Sequence, residues 1–201
     1  MKRFFICFIL IVGFLPSALA KEPSKIWQEF EKIYVPADYH YALVSAHENL
    51  DPQKLRGFVV VMKDGIPAER APFYISWGDY DYRGVTINGE KVTTRTGSAY
   101  AHLKAGDVMA ISDIDHLGKT LYMKLISPEI YIPKDKAEKK RHSRVTNQIL
   151  FKVPKDVFKQ DDALKAVELL GEWFKPFQNI NDAKVYVDKS LRGPKGAVAI
   201  P

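Results

Sequence analysis

The stretch VMAISDIDHLGKTLYMKLI, residues 108–126, decides the fold class of this chain. Two runs rich in β-branched and other apolar residues lie on either side of the polar sequence His116-Leu117-Gly118-Lys119. A glycine at this point permits the positive φ angle that a tight turn requires. The stretch therefore predicts a β-hairpin, with one strand over residues 108–114 and the other over residues 120–126.

Extended segments continue on both sides of this hairpin, from residue 39 to residue 154. They are 58–63 with a turn at Asp64-Gly65 and a return at Ile66, 85–94 around Asn88-Gly89, the polar turn 103–107, and a last strand over 145–153. About seven or eight short strands without alternating helices indicate a mainly β (α+β) fold. We expect a small SH3-like barrel or a strongly bent antiparallel sheet.

Two helices are expected to flank this β region. Ile26, Trp27, Phe30 and Ile33 recur at helical spacing within residues 23–34. A second amphipathic helix is predicted to begin near Asp161 or Asp162 and to end at Pro176. Its expected apolar face consists of Ala163, Leu164, Val167, Leu170, Gly171 and Phe174. After it we expect a short strand over 183–187.

The first twenty residues have the pattern of a secretory signal peptide. Lys2 and Arg3 precede an apolar run over residues 4–15, and Ala18-Leu19-Ala20 offers a small-residue cleavage site. An uncleaved membrane anchor would need about 20 apolar residues, which this run does not reach. We therefore predict a periplasmic or extracellular protein with a signal peptide over 1–20, one globular domain over 21–180 and a flexible tail over 181–201.

Cleavage would also remove Cys7, the single cysteine of the chain. Disulfides, thiol catalysis and cysteine-ligated zinc are then excluded. The net charge of +6 would fall by two with the loss of Lys2 and Arg3. The remaining mild excess favours anionic surfaces and does not indicate a nucleic-acid binder. No cofactor-binding or nucleotide-binding motif is present in the sequence, and no membrane span is expected after cleavage.

The succession of extended segments supports one resemblance. The matching residues are Val59-Val60-Val61-Met62-Lys63-Asp64-Gly65-Ile66, Leu103-Lys104-Ala105-Gly106-Asp107-Val108, Leu121-Tyr122-Met123-Lys124-Leu125, and Ile149-Leu150-Phe151-Lys152-Val153-Pro154 followed by a helix. Over residues 58–174 the chain resembles uncharacterised exported bacterial proteins with an SH3-like barrel. The resemblance implies a fold class and transfers no catalytic residue.

An aromatic segment is the first candidate binding site. Trp77, Tyr80 and Tyr82 lie close together, with Asp79 and Asp81 between or beside them. In an extended strand the two tyrosines share one face, where they would stack on sugar rings or prolines, while the carboxylates accept hydrogen bonds. Alternatively, these rings close the core of the barrel.

A basic segment over residues 134–144 is the second candidate site. Its cations are Lys136, Lys139, Lys140, Arg141 and Arg144, together with Lys134. It would attract phosphate headgroups or an anionic cell-wall polymer in a salt-dependent manner. Alternatively, it is a solvated loop without a partner.

A weaker candidate is a metal site at Asp113, Asp115 and His116. Strand alternation would place both carboxylates on one face and His116 at the turn. Alternatively, this is a solvated strand edge. With His40 or His102 these residues would form a metal-assisted or acid/base hydrolase.

The favoured function is a non-enzymatic binding or accessory module of the cell envelope, whose partner is a cell-wall glycan, a peptide or an envelope protein.

Overall fold

The computed structural model describes residues 24–36, 55–70, 84–94, 101–128 and 145–191. Over these ranges the protein is mainly β, as expected, and its sheet curls into a half-barrel. The strands are β1 (Phe58–Val61), β2 (Ile66–Arg70), β3 (Val85–Asn88), β4 (Lys91–Thr94), β5 (Ala101–Leu103), β6 (Val108–Leu117), β7 (Thr120–Ile126), β8 (Val145–Lys152) and β9 (Phe174–Phe177). The helices are α1 (Lys25–Ile33), α2 (Lys155–Gln160), α3 (Ala163–Gly171) and α4 (Ile180–Tyr186), which continues as a π-helical turn over Val187–Leu191.

The antiparallel meander of β6, β7 and β8 forms the centre of the sheet, whose strand order is β4-β3-β8-β7-β6-β1-β9. Strand β3 runs parallel to β8, and the other pairs in the sheet are antiparallel. Strand β2 pairs with both β5 and β8, outside this order. The sheet can therefore curl around one main core, to which α1 and α3 contribute Ile26, Phe30, Ala166 and Leu170.

The predicted central hairpin is confirmed. Its turn is Gly118-Lys119, because Leu117 pairs with Thr120 and Gly118 has a φ of 56°. Strand β6 extends to Leu117, so its end lies beyond the predicted limit at residue 114. The hairpin of β3 and β4 is also confirmed by the pairing of Asn88 with Lys91.

The predicted hairpin at Asp64-Gly65 is wrong. Strand β1 pairs with β6 and β9, whereas β2 pairs with β5 and β8. The Asp64 carboxylate instead accepts a 2.8 Å hydrogen bond from the backbone N–H of Ala105. Asp64-Gly65 therefore forms a corner, at which the paired segments β1–β2 and β5–β6 bend together as one two-stranded ribbon.

The apolar sequence of β1 reflects burial on both faces of the strand. Val59 and Val61 enter the main core, whereas Phe58 and Val60 pack on the other face with Ile180, Ala183 and Val187. The strand predicted over 183–187 is therefore wrong, because these apolar residues recur at helical spacing in α4 and the following turn. Residues 181–191 of the expected tail are helical, and residues 192–201 lie outside the described residues.

The apolar face predicted for the second helix is only partly correct. Helix α3 buries Ala166 and Leu170, but Leu164 is 76% exposed. Phe174 and Pro176 belong to strand β9 because α3 ends at Gly171. Proline is tolerated there because β9 lies at the end of the strand order, where no ladder hydrogen bond is required on its outer side.

Helix α1 is held at both ends by contacts distant in sequence. The Asp161 carboxylate accepts hydrogen bonds from the N–H groups of Lys25 (3.0 Å) and Ile26 (3.2 Å). These groups lack partners inside the helix, and they carry the positive end of its dipole. After the helix, the buried Tyr34 hydroxyl donates a 2.9 Å hydrogen bond to the carbonyl of Phe174. Both contacts fix α1 on the body of the protein.

We predict that Tyr34→Phe lowers the free energy of unfolding at pH 7 by about 1–2 kcal/mol, because the Phe174 carbonyl loses its donor. Burial raises the pKa of the Tyr34 phenol well above its ordinary value of about 10. The unfolded chain therefore ionises first, and the stabilisation from Tyr34 decreases as the pH rises above about 10. Urea unfolding at pH 7 and pH 11 should show a smaller difference between parent and variant at the higher pH. An unchanged difference would contradict this account.

We also predict that Gly84→Ala lowers the free energy of unfolding by about 1–3 kcal/mol, because the added methyl group overpacks a closed site. It would collide with the backbone oxygen of Gln148 and with Leu150. Gly171→Ala is the matched control, since an added methyl group there meets no atom within 4 Å. The control should be neutral or stabilising by up to about 1 kcal/mol. Equal thermal denaturation midpoints for the two variants would contradict the prediction.

Candidate functional site

Strand β8 brings together the residues from which several long connections leave the sheet. Arg70, the last residue of β2, pairs with Val145, the first residue of β8. Ser127, which follows β7, donates its N–H to the Val145 carbonyl (2.9 Å) and accepts the Val145 N–H at its hydroxyl (3.0 Å). The connection 71–83 therefore begins beside the place where the connection 129–144 both begins and ends.

The far end of the connection 71–83 and the start of one further connection, 95–100, lie nearby on the sheet. Gly84 precedes β3 and packs against Gln148 of β8, so residues 71–83 return about 10 Å from Val145 at about 3.3 Å per residue. Thr94, at the end of β4, pairs with Val85 next to Gly84. We call this end of the sheet, formed by Arg70, Gly84, Thr94, Ala101, Ser127 and Val145, the loop end.

Two polar side chains near the loop end, those of Asn147 and Thr146, are hydrogen-bonded to neighbouring strands. Asn147 is 4% exposed and donates its amide to the carbonyl of Pro67. Thr146 donates its hydroxyl to the carbonyl of Leu125 at 2.9 Å. These bonds join β8 to β2 and β7 by side chains as well as by backbone. They make the loop end a rigid base for the segments that leave it.

The two segments predicted to bind a ligand lie outside the described residues. They comprise Trp77, Asp79, Tyr80, Asp81 and Tyr82 in the aromatic segment, and Lys136, Lys139, Lys140, Arg141 and Arg144 in the basic segment. The structure shows the residues to which both segments are attached. Those attachment residues adjoin one another along the first half of β8.

The three residues of the weak metal candidate are described, and they lie in β6. Asp113 pairs with Lys124, and Asp115 pairs with Tyr122. Strand alternation places both carboxylates on one face, as predicted, and His116 on the opposite face. His116 lies within the strand rather than in the turn, because β6 continues to Leu117. Asp115 and His116 approach one another to 3.9 Å, but the three side chains do not form a group able to hold a metal ion.

The His116 ring stacks on Trp27 of α1, with ring centroids 4.2 Å apart and an interplanar angle of 20°. Its buried Nδ1 atom has no hydrogen-bond partner and lies 3.9 Å from Asp115, which is too long for a hydrogen bond. Among the described residues, no group of three or more His, Cys, Asp or Glu side chains is arranged to hold a metal ion. His102 lies opposite Pro67 on the exposed side of β5, and His40 is outside the described residues.

A second charged cluster is structural. The Lys63 ammonium binds both oxygens of Glu90 (2.9 and 3.0 Å), lies 3.7 Å from Glu172 and stands 4.4 Å above the Trp173 ring. These contacts join the corner after β1 to the hairpin of β3 and β4 and to the end of α3. The ammonium is thus already engaged by two carboxylates and an aromatic ring.

The loop end was missed by sequence reasoning, although both segments attached to it were identified. The sequence around Ser127 and Asn147 does not reveal the role of these polar residues, because that role depends on partners in other strands.

Comparison with protein-family models, curated proteins and solved structures found no match to this chain. None of the helices in the described ranges has the length and apolarity needed to cross a membrane.

We predict that His116→Phe preserves the stack on Trp27 and changes the free energy of unfolding little. His116→Ala should lower it by about 0.5–1.5 kcal/mol, the usual contribution of an aromatic pair. Denaturant unfolding measures both effects, and elemental analysis of the purified parent tests the metal hypothesis. Stoichiometric zinc in the parent that is lost in both variants would contradict a purely structural role of His116.

Proposed function

We propose that this protein is an exported, non-enzymatic binding or accessory module of the bacterial cell envelope that holds its ligand at the loop end. The observation that carries the proposal is the junction of Arg70, Ser127 and Val145. Through this junction an aromatic segment and a basic segment start side by side. Binding sites are commonly made by such connections on a rigid scaffold.

The combined chemistry of the two segments favours an anionic glycan as the ligand. Trp77, Tyr80 and Tyr82 offer faces on which sugar rings stack. Asp79 and Asp81 accept hydrogen bonds from sugar hydroxyl groups. The cations of the basic segment attract carboxylate or phosphate groups on the same polymer. A peptide or a neutral glycan would use only one of the two segments.

The hydrolase alternative lacks this support. It requires Asp113, Asp115 and His116 to converge, whereas the carboxylates and the imidazole are on opposite faces of β6. The imidazole is occupied by its stack on Trp27. We therefore assign these residues to the scaffold.

We infer in addition that the half-barrel is SH3-like and is flanked by α1 and α3. The two-stranded ribbon that bends at Asp64-Gly65 supports this inference, because strongly bent ribbons allow small barrels to close with few strands. The proposed export rests on the signal-peptide pattern of residues 1–20.

The proposal predicts that the protein sediments with isolated peptidoglycan sacculi that carry anionic polymer, and that salt weakens this binding. The protein for the assay is isolated from the periplasm or medium, and its N-terminal sequence is expected to begin at Lys21. Substitution of Trp77, Tyr80 and Tyr82 by Ala should weaken binding at least tenfold, since three stacked rings together contribute more than about 1.4 kcal/mol. Lys139→Gln, Lys140→Gln and Arg141→Gln, made together, should remove most of the salt dependence.

The matched control removes three cations from the other end of the sheet by Lys152→Gln, Lys155→Gln and Lys159→Gln. It has the same loss of charge and should bind sacculi like the parent. If both loop variants bind like the parent, or if the control weakens binding equally, the loop end is not the binding site.

A further inference from the structure

Helix α1 begins at the end of the sheet that lies opposite the loop end. The Asp161 carboxylate, at the junction of α2 and α3, binds the N–H groups of Lys25 and Ile26. In the same turn of the helix, Trp27 stacks on His116 near the tip of the β6–β7 hairpin. The chain that precedes Ser24 therefore leaves the fold beside the hairpin tip and the α2–α3 junction.

The hairpin tip is also joined to the start of α2. The Lys119 carbonyl accepts a 2.9 Å hydrogen bond from the N–H of Val153, and Thr120 pairs with Lys152. Strand β8 runs from Val145 at the loop end to Lys152 here, a span of about 23 Å at about 3.3 Å per residue. We call this opposite end, formed by residues 24–27, 116–120 and 152–165, the hairpin end.

Three of the large apolar side chains that the structure leaves exposed lie at the hairpin end. Leu117 is 66% exposed beside the turn, Phe158 is 36% exposed in α2, and Leu164 is 76% exposed in the first turn of α3. Each is within three residues of one of the contacts that hold this end together. Such side chains make no contribution to the core, and burial elsewhere would remove apolar surface from water.

Cations surround these apolar side chains. The exposed lysines of the hairpin end are Lys25, Lys119, Lys152, Lys155, Lys159 and Lys165. They outnumber its carboxylates, of which Asp161 binds the N–H groups of α1 and Asp162 caps α3. Asp156 is exposed as well. The combination of exposed leucine and phenylalanine with lysine is the chemistry that binds an anionic membrane surface.

We propose that the hairpin end is a lipid-binding surface, on which Leu117, Phe158 and Leu164 enter the interface of an anionic bilayer and the lysines contact its headgroups. The charge of this end identifies an anionic bilayer as the occupant, because exposed lysines surround three exposed apolar side chains and complement acidic headgroups.

This surface is separate from the ligand site of the proposed function. It rests on the proposed export, but it does not depend on what the loop end binds. With the hairpin end on the bilayer, β8 directs the loop end away from the membrane. The aromatic and basic segments then face the compartment in which a cell-wall polymer lies.

The test measures sedimentation of the chain beginning at Lys21 with vesicles. That chain keeps all the described elements and lacks the apolar run, which would bind lipid by itself. Vesicles of phosphatidylglycerol and phosphatidylcholine in equal amounts are compared with vesicles of phosphatidylcholine alone. We expect binding to the anionic vesicles and at least tenfold weaker binding to the neutral ones.

Two variants of the hairpin end test the surface. Leu117→Ser, Phe158→Ser and Leu164→Ser, made together, should weaken binding to anionic vesicles at least tenfold. Lys152→Gln, Lys155→Gln and Lys159→Gln should weaken it and reduce its salt dependence. The lysine variant changes only exposed side chains, so it tests the proposal even if the serine variant does not fold. Circular dichroism checks the fold of both.

Two matched controls complete the design. Val185→Ser with Leu191→Ser removes exposed apolar side chains, 49% and 36% exposed, from α4 and the turn after it. The loop variant Lys139→Gln, Lys140→Gln and Arg141→Gln removes three cations from the basic segment. Both should bind vesicles like the parent.

Four results would overturn the proposal. They are no binding of the parent to anionic vesicles, equal binding by a folded hairpin variant, loss of binding in the loop variant alone, and a lipid-independent change of oligomeric state in the serine variant. The last result would identify a second copy of the chain as the occupant. Loss of sacculus binding with intact vesicle binding would instead contradict only the proposed function.

Discussion

One edge of strand β8 has to serve two different strands, and the rest of the half-barrel depends on how it does so. The first two residues of β8 pair with β2, and residues 149–151 pair with β3. At the change of partner, the Asn147 amide supplies the donor for the Pro67 carbonyl, which has no β8 backbone partner in the ladder. The absence of a side chain at Gly84 lets the backbone approach β8 at the same place. The sheet can therefore turn away from a flat plane while the Pro67 carbonyl keeps a hydrogen-bond donor.

This exchange of partners also gives the protein two chemically different ends. Strand β8 connects them, with Val145 among the attachment points of the long connections and Lys152 near the start of α1. The first end has buried, hydrogen-bonded Ser127 and Asn147 beneath it. The second has exposed leucine, phenylalanine and lysine. A ligand at one end and a surface at the other can be bound at the same time, because their contact residues are not shared.

Local patterns predicted the elements of this fold better than their partners. Gly118 specified the central hairpin because both of its strands lie directly beside the turn. Asp64-Gly65 has an equally clear turn sequence, but β1 pairs with β6 and β2 pairs with β5. Val59 and Val61 of β1 are buried with residues distant in sequence. Helix α4 was missed because its few apolar residues fit a short strand as well as one helical face. The aromatic and basic segments were recognised by their composition. Their attachment to neighbouring residues could not be predicted, because it depends on the pairing of Arg70 with Val145.

Pro176 has a consequence for how this protein avoids aggregation. A sheet that curls only halfway keeps open edges, and an open edge is a template onto which another extended chain can add. In the described part of the sheet, β9 is the end strand beside β1, and its sequence is Phe174-Lys175-Pro176-Phe177. Proline offers no N–H to an incoming strand, and Lys175 adds a charge beside it. Pro176, which was expected to end a helix, thus discourages growth of the sheet into an aggregate.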